Sequence, residues 1–160
     1  MTAWAGLYYV WQVARFRVTD TIVVHAMGER IESHDGDYLA HAWLDRLGLH
    51  AHALVHPSGE IERMRDDSKI AYHARGHNST SLGVEVLVPG VHTYATFAAA
   101  IAEPGWVGDR QLDALVKLVR HWRDTHGIRQ IVRHSDISPG RKIDPGAGFP
   151  WAELIARVTS

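Results

Sequence analysis

One amphipathic segment followed directly by a β-branched segment constrains the fold of this chain more than any other feature. Apolar side chains recur at helical spacing through residues 109–126 and share one face: Leu112, Leu115, Val116, Val119 and Trp122. Gly127 is a typical helix end, and residues 128–133 are predicted to form a strand that ends at His134. A chain that mixes helices and strands in this way favours a layered α/β domain.

Further strands are predicted on both sides of that helix. Residues 20–25 and 81–88 are short runs rich in β-branched side chains. Residues 50–56 and 60–64 flank the turn Pro57-Ser58-Gly59 and are predicted to pair as an antiparallel hairpin. The sheet is therefore expected to be mixed, central and flanked by helices.

Local signals predict where other elements begin and end. Asp35 is a candidate N-cap for a helix over residues 35–47, which Gly48 is expected to stop. Pro89 and Gly90 are expected to end the strand at 81–88, and a last short helix begins at about Trp151.

The chain has 160 residues, which predicts one domain spanning residues 1–160. Residues 1–18 are expected to be an N-terminal extension packed on that domain. Their apolar run has no basic residue before it, since Arg15 follows the run, whereas a secretory signal has the opposite order. No apolar run approaches the roughly 18 residues that a transmembrane helix needs.

Histidine and cysteine usage narrows the chemistry. The chain has 12 His and no Cys, which excludes disulfides, thiolate metal sites and a cysteine nucleophile. A metal site would have to use His, carboxylates and water. The formal net charge of -1, with scattered Lys and Arg, gives no indication of a nucleic-acid or anionic membrane partner.

Two histidines follow apolar strands in the same way. His25 comes after Ile22-Val-Val and His134 after Ile131-Val-Arg. Because neighbouring strand ends lie only about 5 Å apart, both imidazoles can meet at one metal. Pro139-Gly140 can turn the following loop back and bring Asp144 to them, a set that suits Zn²⁺. The alternatives are ordinary strand-end histidines and an Asp-Pro-Gly turn.

Glu85 and Lys142 are the candidate catalytic residues. Glu85 stands between Val84 and Val86, and an unpaired carboxylate facing an apolar core would be costly. Facing a zinc site, Glu85 can act as general base and then as general acid. Lys142 precedes Asp144 by two residues and can stabilise an oxyanion. A solvent-facing sheet and a solvated loop lysine are the alternatives.

Four segments together resemble one family, the type 2 zinc-dependent N-acetylmuramoyl-L-alanine amidases, which also include peptidoglycan recognition proteins and short phage endolysins. The resemblance covers about residues 20–155, and its motifs keep the order and approximate spacing of the family. The segments are Ile22-Val-Val-His25, residues 51–61, residues 71–85 (Ala-Tyr-His-Ala-Arg-Gly-His-Asn-Ser-Thr-Ser-Leu-Gly-Val-Glu), and residues 134–146 with Phe149-Pro-Trp151 beyond them.

The resemblance implies roles for individual residues. It makes His25, His134 and Asp144 the zinc ligands, Lys142 the oxyanion-stabilising residue and Glu85 the acid and base. It also implies that the groove and substrate contacts include His73, Asn78 and Arg141. Some relatives have a catalytic Tyr where this chain has Ala51, so the match is to the variant that uses Glu and Lys. Ala26 and Tyr72 also depart from the usual residues, and these departures concern substrate contacts.

The resemblance therefore implies a zinc hydrolase that cleaves the amide bond between N-acetylmuramic acid and L-alanine in peptidoglycan or muropeptides. A non-catalytic peptidoglycan-binding module on the same fold is the alternative, and a zinc hydrolase of another amide is a third interpretation. The expected partner is the substrate alone, without nucleic acid or membrane, and the chain is expected to be a monomer. Its expected location is cytoplasmic or, for a phage-encoded lysin, the cell wall.

Overall fold

A computed structural model describes residues 18–160 of the chain. The predicted packing concerns the N-terminal extension at residues 1–18, of which residues 1–17 lie outside the described range. In the described part, strands and helices follow one another as β1 (Thr21–Ser33), β2 (Gly36–Leu39), α1 (Ala40–Arg46), β3 (Ala53–Val55), β4 (Ile61–Arg63), β5 (Ser81–His92), α2 (Tyr94–Ala102), α3 (Asp109–Thr125), β6 (Gln130–Arg133), α4 (His134–Ile137) and α5 (Trp151–Thr159). Within residues 18–160, no helix is long and apolar enough to cross a membrane.

The strands form one mixed sheet around β1. Its order is β2-β1-β5-β3-β4, and β6 also pairs with β1. Strands β5 and β6 run parallel to β1, and β3 runs parallel to β5. Strand β2 pairs antiparallel with β1, and β4 pairs antiparallel with β3. This confirms the predicted α/β fold with a central mixed sheet, and it confirms the hairpin around Pro57-Ser58-Gly59.

One face of the sheet packs against α3 and α5 and forms the main hydrophobic core. Its buried members are Ile22, Val24, Ala53, Val55, Leu82, Val84, Val86, Leu112, Leu115, Val116, Leu118, Val119, Trp122, Phe149, Leu154 and Val158. Burying each large apolar side chain stabilises the fold by roughly 1.5–3 kcal/mol. Because alternate residues of β1 and β5 are anchored in this core, the residues between them are held firmly on the opposite face.

The opposite face carries the polar residues of interest. The parallel register pairs His25 of β1 with Glu85 of β5, and Glu85 in turn with Leu54 of β3. Leu54 also belongs to a second, smaller apolar cluster, to which α1 contributes Ala40 and Leu44. Glu85 therefore lies on the sheet face that carries His25, and it is buried there and not solvent-facing.

Two predicted element boundaries are wrong. Residues 36–39 pair with the end of β1 as β2, so the helix expected from Asp35 begins only at Ala40. Strand β5 continues through Pro89 and Gly90 to His92, because these two residues form a bulge opposite Glu29 of β1 and the two strands stay paired beyond it. A proline lacks a backbone donor, but such an irregularity tolerates its presence.

Helix α2 was not predicted at all. Its sequence is almost entirely apolar, and of its residues only Ile101 is buried, so it lacks the periodicity that indicates an amphipathic helix. Its start is defined by a reciprocal cap, in which the side chains of Thr93 and Thr96 each accept from the other's backbone N–H. That cap is a sequence signal that could have revealed the helix.

Candidate active site

The two strand-end histidines meet because β1 and β6 are neighbours. Val24 is paired with Arg133, so the next residues, His25 and His134, lie at the same level of the sheet. His134 is the first residue of α4, and its side chain turns towards His25, with the two ring centroids 4.2 Å apart. Both are almost fully buried, at 2% and 4% exposure.

Asp144 reaches the histidines through a tight loop. Gly140, with φ of +74°, allows the turn after Pro139, and the Lys142 N–H donates to the backbone oxygen of Ser138 at 3.0 Å. The Ser135 N–H then donates to the backbone oxygen of Asp144, also at 3.0 Å. The expected reversal of the chain at Pro139-Gly140 therefore places Asp144 beside α4.

Three donor atoms converge at this point. His25 Nδ1 lies 2.9 Å from His134 Nδ1 and 3.3 Å from Asp144 Oδ2, and His134 Nδ1 lies 3.0 Å from that same oxygen. Ligands about 2.0–2.1 Å from a tetrahedral zinc ion lie roughly 3.3 Å from each other. The three atoms thus already have nearly the spacing of three corners of such a site, and they are the one His/Asp/Glu cluster of this kind in residues 18–160.

The protonation states of these groups also suit a metal. Burial lowers the pKa of His25, and the nearby Asp144 only partly opposes this, so the ring stays neutral near pH 7. Burial opposes ionisation of Asp144, but its interactions with the rings of His134 and His25 outweigh burial and hold its pKa well below the usual range. Neutral imidazole and ionised carboxylate are the ligand forms that bind zinc.

The pKa of Glu85, in the same cavity, is shifted in the opposite direction to that of Asp144. Glu85 is 8% exposed, and its Oε2 atom has no hydrogen-bond partner within the described residues. Burial and the charge of Asp144 raise its pKa to about 8, although Lys142 lowers it in part. A carboxyl group with a pKa near neutrality is suited to exchange protons during a reaction.

These groups line a single cavity of about 500 Å³. Lys142 and Arg141 are exposed on its rim, and the Arg141 guanidinium donates to the Ser138 hydroxyl at 2.8 Å. The sequence-based prediction missed the apolar walls, which come from α1 with the loop after it, from the loop before β5 and from the start of α2. They include Trp43, Leu44, Leu47, Leu49, Tyr72, Tyr94 and Phe97. Apart from Tyr72, no motif pointed to them.

His73 and Asn78 lie in the loop that precedes β5. His73 lines the cavity, and its Nδ1 atom is 2.9 Å from His25 Nε2. Asn78 Oδ1 accepts from the backbone N–H groups of His73 and Ala74, at 3.0 and 2.8 Å. Asn78 thus holds the loop backbone in place. It is not among the described residues that line the cavity. The predicted substrate contacts of both residues stay predictions.

Comparison with known proteins agrees with this geometry. Residues 15–147 match the family model for N-acetylmuramoyl-L-alanine amidases, which is most of the chain. This chain belongs to the N-acetylmuramoyl-L-alanine amidase family. Membership confirms the family that the four sequence segments indicated, and the matched range contains all of the candidate site residues.

Individual relatives are moderately similar to this amidase-family chain. The N-acetylmuramoyl-L-alanine amidase AmiD of Escherichia coli K12 is 33% identical over 110 residues, which are 59% of this chain and 36% of AmiD. The endolysin of Enterobacteria phage K11 is 30% identical over 119 residues, covering 74% of this chain and 71% of the endolysin. The chain therefore spans about a third of the length of AmiD.

A solved structure shares the fold. The amidase LysC from Clostridium intestinale superposes with a TM-score of 0.68 at 21% identity, covering 89% of this chain and 86% of LysC. At this identity the likeness concerns the fold alone. The mixed sheet with flanking helices is thus a fold that this family member also has.

Proposed function

We propose that this chain is a zinc-dependent hydrolase that cleaves the amide bond between N-acetylmuramic acid and L-alanine. The observation that carries the proposal is the convergence of His25 Nδ1, His134 Nδ1 and Asp144 Oδ2, within 3.3 Å of one another, in the cavity that Glu85 and Lys142 also line. Family membership supports the reaction class, and the AmiD and endolysin relatives support a cell-wall substrate.

His25, His134 and Asp144 would hold the metal ion. A zinc ion supplies Lewis acidity, which makes water more acidic and polarises a carbonyl group. The protein brings the three donor atoms close together in a buried position. Within residues 18–160 the cluster has three protein ligands, so a fourth coordination position would be open to water or substrate.

Glu85 would move the proton. As general base, its carboxylate takes a proton from the water that attacks the amide carbonyl carbon. As general acid, it then gives that proton to the leaving amine nitrogen, and the C–N bond breaks. Because a base must be ionised first, we expect the pKa of Glu85 to fall once a cation offsets the charge of Asp144, which helps to raise that pKa.

Lys142 would stabilise the negative charge that develops on the carbonyl oxygen. Its ammonium group lines the same cavity, and its charge lowers the pKa of Glu85, so its field reaches the reacting region. Arg141 beside it is proposed to contact the peptide or lactyl part of the substrate, with His73 and Asn78 contributing to the groove wall. The chain is further proposed to act as a monomer.

The activity is tested with two substrates. The zinc-loaded protein is incubated separately with soluble anhydro-muropeptides and with intact sacculi, and the products are identified by mass spectrometry. We expect the peptide to be released from N-acetylmuramic acid with a free amino group on its L-alanine. Chelation should abolish the release and Zn²⁺ should restore it, whereas apo protein with full activity would contradict the metal dependence.

The pattern of cleavage also separates the proposed roles. Cleavage of the soluble substrate alone indicates muropeptide recycling in the cytoplasm, and cleavage of sacculi indicates lysis or remodelling at the cell wall. Binding to sacculi without cleavage of either substrate would favour a non-catalytic binding module. Cleavage of an unrelated acyl-amino acid amide, with no cleavage of muropeptides, would favour a different amidase.

A further inference from the structure

We infer that Glu62 of β4 is a positioning residue, which together with His41 and His56 anchors helix α1 and so sets the apolar wall that α1 gives to the cavity. The inference rests on the proposed function in one respect, that substrate binds in this cavity. It concerns how tightly the substrate is bound, and neither the metal ion nor the proton transfer.

The sheet register places Glu62 on the same face as the active site. Glu62 is paired with Leu54 of β3, and Leu54 with Glu85 of β5. Glu85 in turn is paired with His25 of β1. Directly paired residues of neighbouring strands point to the same face of a sheet. Glu62 therefore lies on the active-site face, two strands away from Glu85, with the fully buried Leu54 between them.

Helix α1 packs on this face at Leu54. Its Ala40 and Leu44 share the smaller apolar cluster with Leu54. Trp43 and Leu44 line the cavity, as does Leu47 directly after the helix. The position of α1 on the sheet therefore determines the position of this part of the cavity wall.

A carboxylate that receives two histidines ties α1 to the sheet. His41, in the first turn of α1, donates from Nδ1 to Glu62 Oε1. His56, directly after β3, donates from Nε2 to Glu62 Oε2 at 2.8 Å. A carboxylate only accepts, so each of these ring nitrogens carries a hydrogen, which a neutral or a protonated ring can provide. With both oxygens engaged, the carboxylate is held facing α1.

The carboxylate of this anchor is charged. Partial burial opposes the ionisation of Glu62, but the hydrogen bonds from His41 and His56 outweigh it and hold its pKa below the ordinary value. Hydrogen bonds to an ionised group are roughly twice as strong as those between neutral groups. The three side chains are 25–36% exposed, so solvent screening keeps the effect of the anchor modest.

Helix α1 depends on such contacts because it is short. It has seven residues, and its N-cap, Leu39, has no polar side chain that could cap it. At its other end, Arg46 pairs with Asp35 at 2.5 Å. A helix of this length is not stable by itself in water. The bond from His41 to Glu62 therefore helps to fix where the first turn of α1 lies.

Loss of the anchor should weaken substrate binding and leave the chemistry intact. Without it, α1 also adopts positions that do not form the wall, and the apparent affinity falls with the fraction of protein that has the wall in place. Bound substrate selects the formed wall again, so turnover at saturating substrate should stay close to that of wild type. The metal ligands lie on other elements, so Zn²⁺ affinity should not change.

Glu62→Ala tests the inference with two measurements. The KM for a soluble anhydro-muropeptide should rise about 3- to 10-fold, the scale of one net hydrogen bond, with kcat and Zn²⁺ affinity within about twofold of wild type. Amide hydrogen exchange of metal-free protein, followed by mass spectrometry, should become faster in residues 40–49 and stay unchanged in α3. His56→Ala should have a smaller effect of the same kind.

His41 offers a matched pair of variants. His41→Ala should reproduce the effects of Glu62→Ala, whereas His41→Asn, which keeps an N–H donor near the position of Nδ1, should restore most of the wild-type behaviour. Alanine is the better helix former, so helix propensity cannot produce this order. Both variants lose the contact between His41 Nε2 and Asp45 Oδ2, 3.5 Å apart within α1, so it cancels in the comparison. Glu60→Ala, at an exposed position of the same hairpin, should change neither measurement.

Either unchanged exchange in residues 40–49 or a KM within about twofold of wild type in Glu62→Ala would overturn the inference, and His41→Ala takes its place if that variant does not fold. A lower kcat at unchanged KM overturns it too, since this marks fewer folded molecules and not a displaced wall. The exchange measurement needs neither metal nor substrate. Unchanged exchange therefore contradicts this inference alone, and faster exchange in a chain that cleaves no muropeptide contradicts the proposed function alone.

Discussion

Asp144 and Glu85 are carboxylates of one cavity, and the protein shifts their pKa values in opposite directions. Both are buried, which disfavours ionisation of each. Asp144 faces the rings of His134 and His25, and these interactions keep it ionised. Glu85 has no such partner, and the charge of Asp144 raises its pKa further, to about 8.

These opposite pKa shifts show how one cavity can provide both a metal ligand and a proton-transferring residue. A metal ligand must stay ionised at all working pH values, whereas an acid–base residue must be able to take and release a proton. The partners of each carboxylate, and not its burial alone, determine whether it is suited to be a metal ligand or an acid–base residue. Substitutions that remove one carboxylate or one partner at a time test this difference.

The largest effect is expected from Asp144→Asn. The amide keeps the shape but removes the charged donor, so Zn²⁺ affinity should fall more than about 100-fold, and amidase activity should disappear. Isothermal titration with Zn²⁺ and product analysis measure these. Asp37→Asn alters an exposed carboxylate of β2 and serves as the matched control. Retention of full metal content by Asp144→Asn would show that the aspartate is not a ligand.

Glu85→Gln should separate catalysis from metal binding. Loss of a general acid–base residue typically lowers turnover by about two to four decades, while the three donor atoms remain and zinc content should be unchanged. Glu60→Gln, in the exposed turn before β4, is the control. The proton-transfer role is excluded if Glu85→Gln keeps wild-type kcat at saturating substrate.

Lys142→Ala should lower kcat by about two to three decades, the usual cost of losing one oxyanion-stabilising group, with zinc content intact. Because Lys142 lowers the pKa of Glu85, its removal should also move the acidic limb of the pH–rate profile upwards. Lys117→Ala, on the exposed face of α3, is the control. An unchanged pH profile would mean that the Lys142 charge does not act on Glu85.

The last prediction concerns stability in the absence of metal. The Glu85 carboxyl has its ordinary pKa of 4.5 in the unfolded chain, whereas burial in the folded protein raises its pKa to about 8. The unfolded state thus releases this proton first, and stability falls between these pH values, by up to about 1.4 kcal/mol per pH unit. Glu85→Gln should lack this loss.

Thermal unfolding of both chelated proteins across that pH range measures the effect. The Tm of Glu85→Gln should rise relative to wild type as the pH increases, with the other titrating groups common to both. Parallel Tm curves for the two proteins would show that the pKa of Glu85 is not raised in the folded state.

Much of the fold could be predicted from local patterns. The β-branched run at 81–88 identified β5, which is buried on both faces, and the helical spacing in 109–126 identified α3, which buries one face. Strand β2 could not be predicted, since residues 36–39 have no apolar alternation and owe their conformation to pairing with β1. Helix α2 escaped for a related reason, because its uniformly apolar sequence has no period.

The sequence by itself determined which donor types are available and where they stand along the chain. It contains no Cys, it places His25 and His134 at the ends of apolar strands, and its loop after His134 contains Asp144. These facts, together with the family resemblance, identified the residues of the site. These facts depend only on residue types and their positions along the chain, which the sequence gives directly.

Only the tertiary structure decided which of these residues meet and what surrounds them. His25 and His134 are 109 positions apart and touch because β1 and β6 pair in parallel. His73 reaches His25 because the glycine at position 83 leaves room for its ring. The opposite pKa values of Asp144 and Glu85 likewise depend on neighbours brought together by folding, since burial and charge act through space and not along the chain.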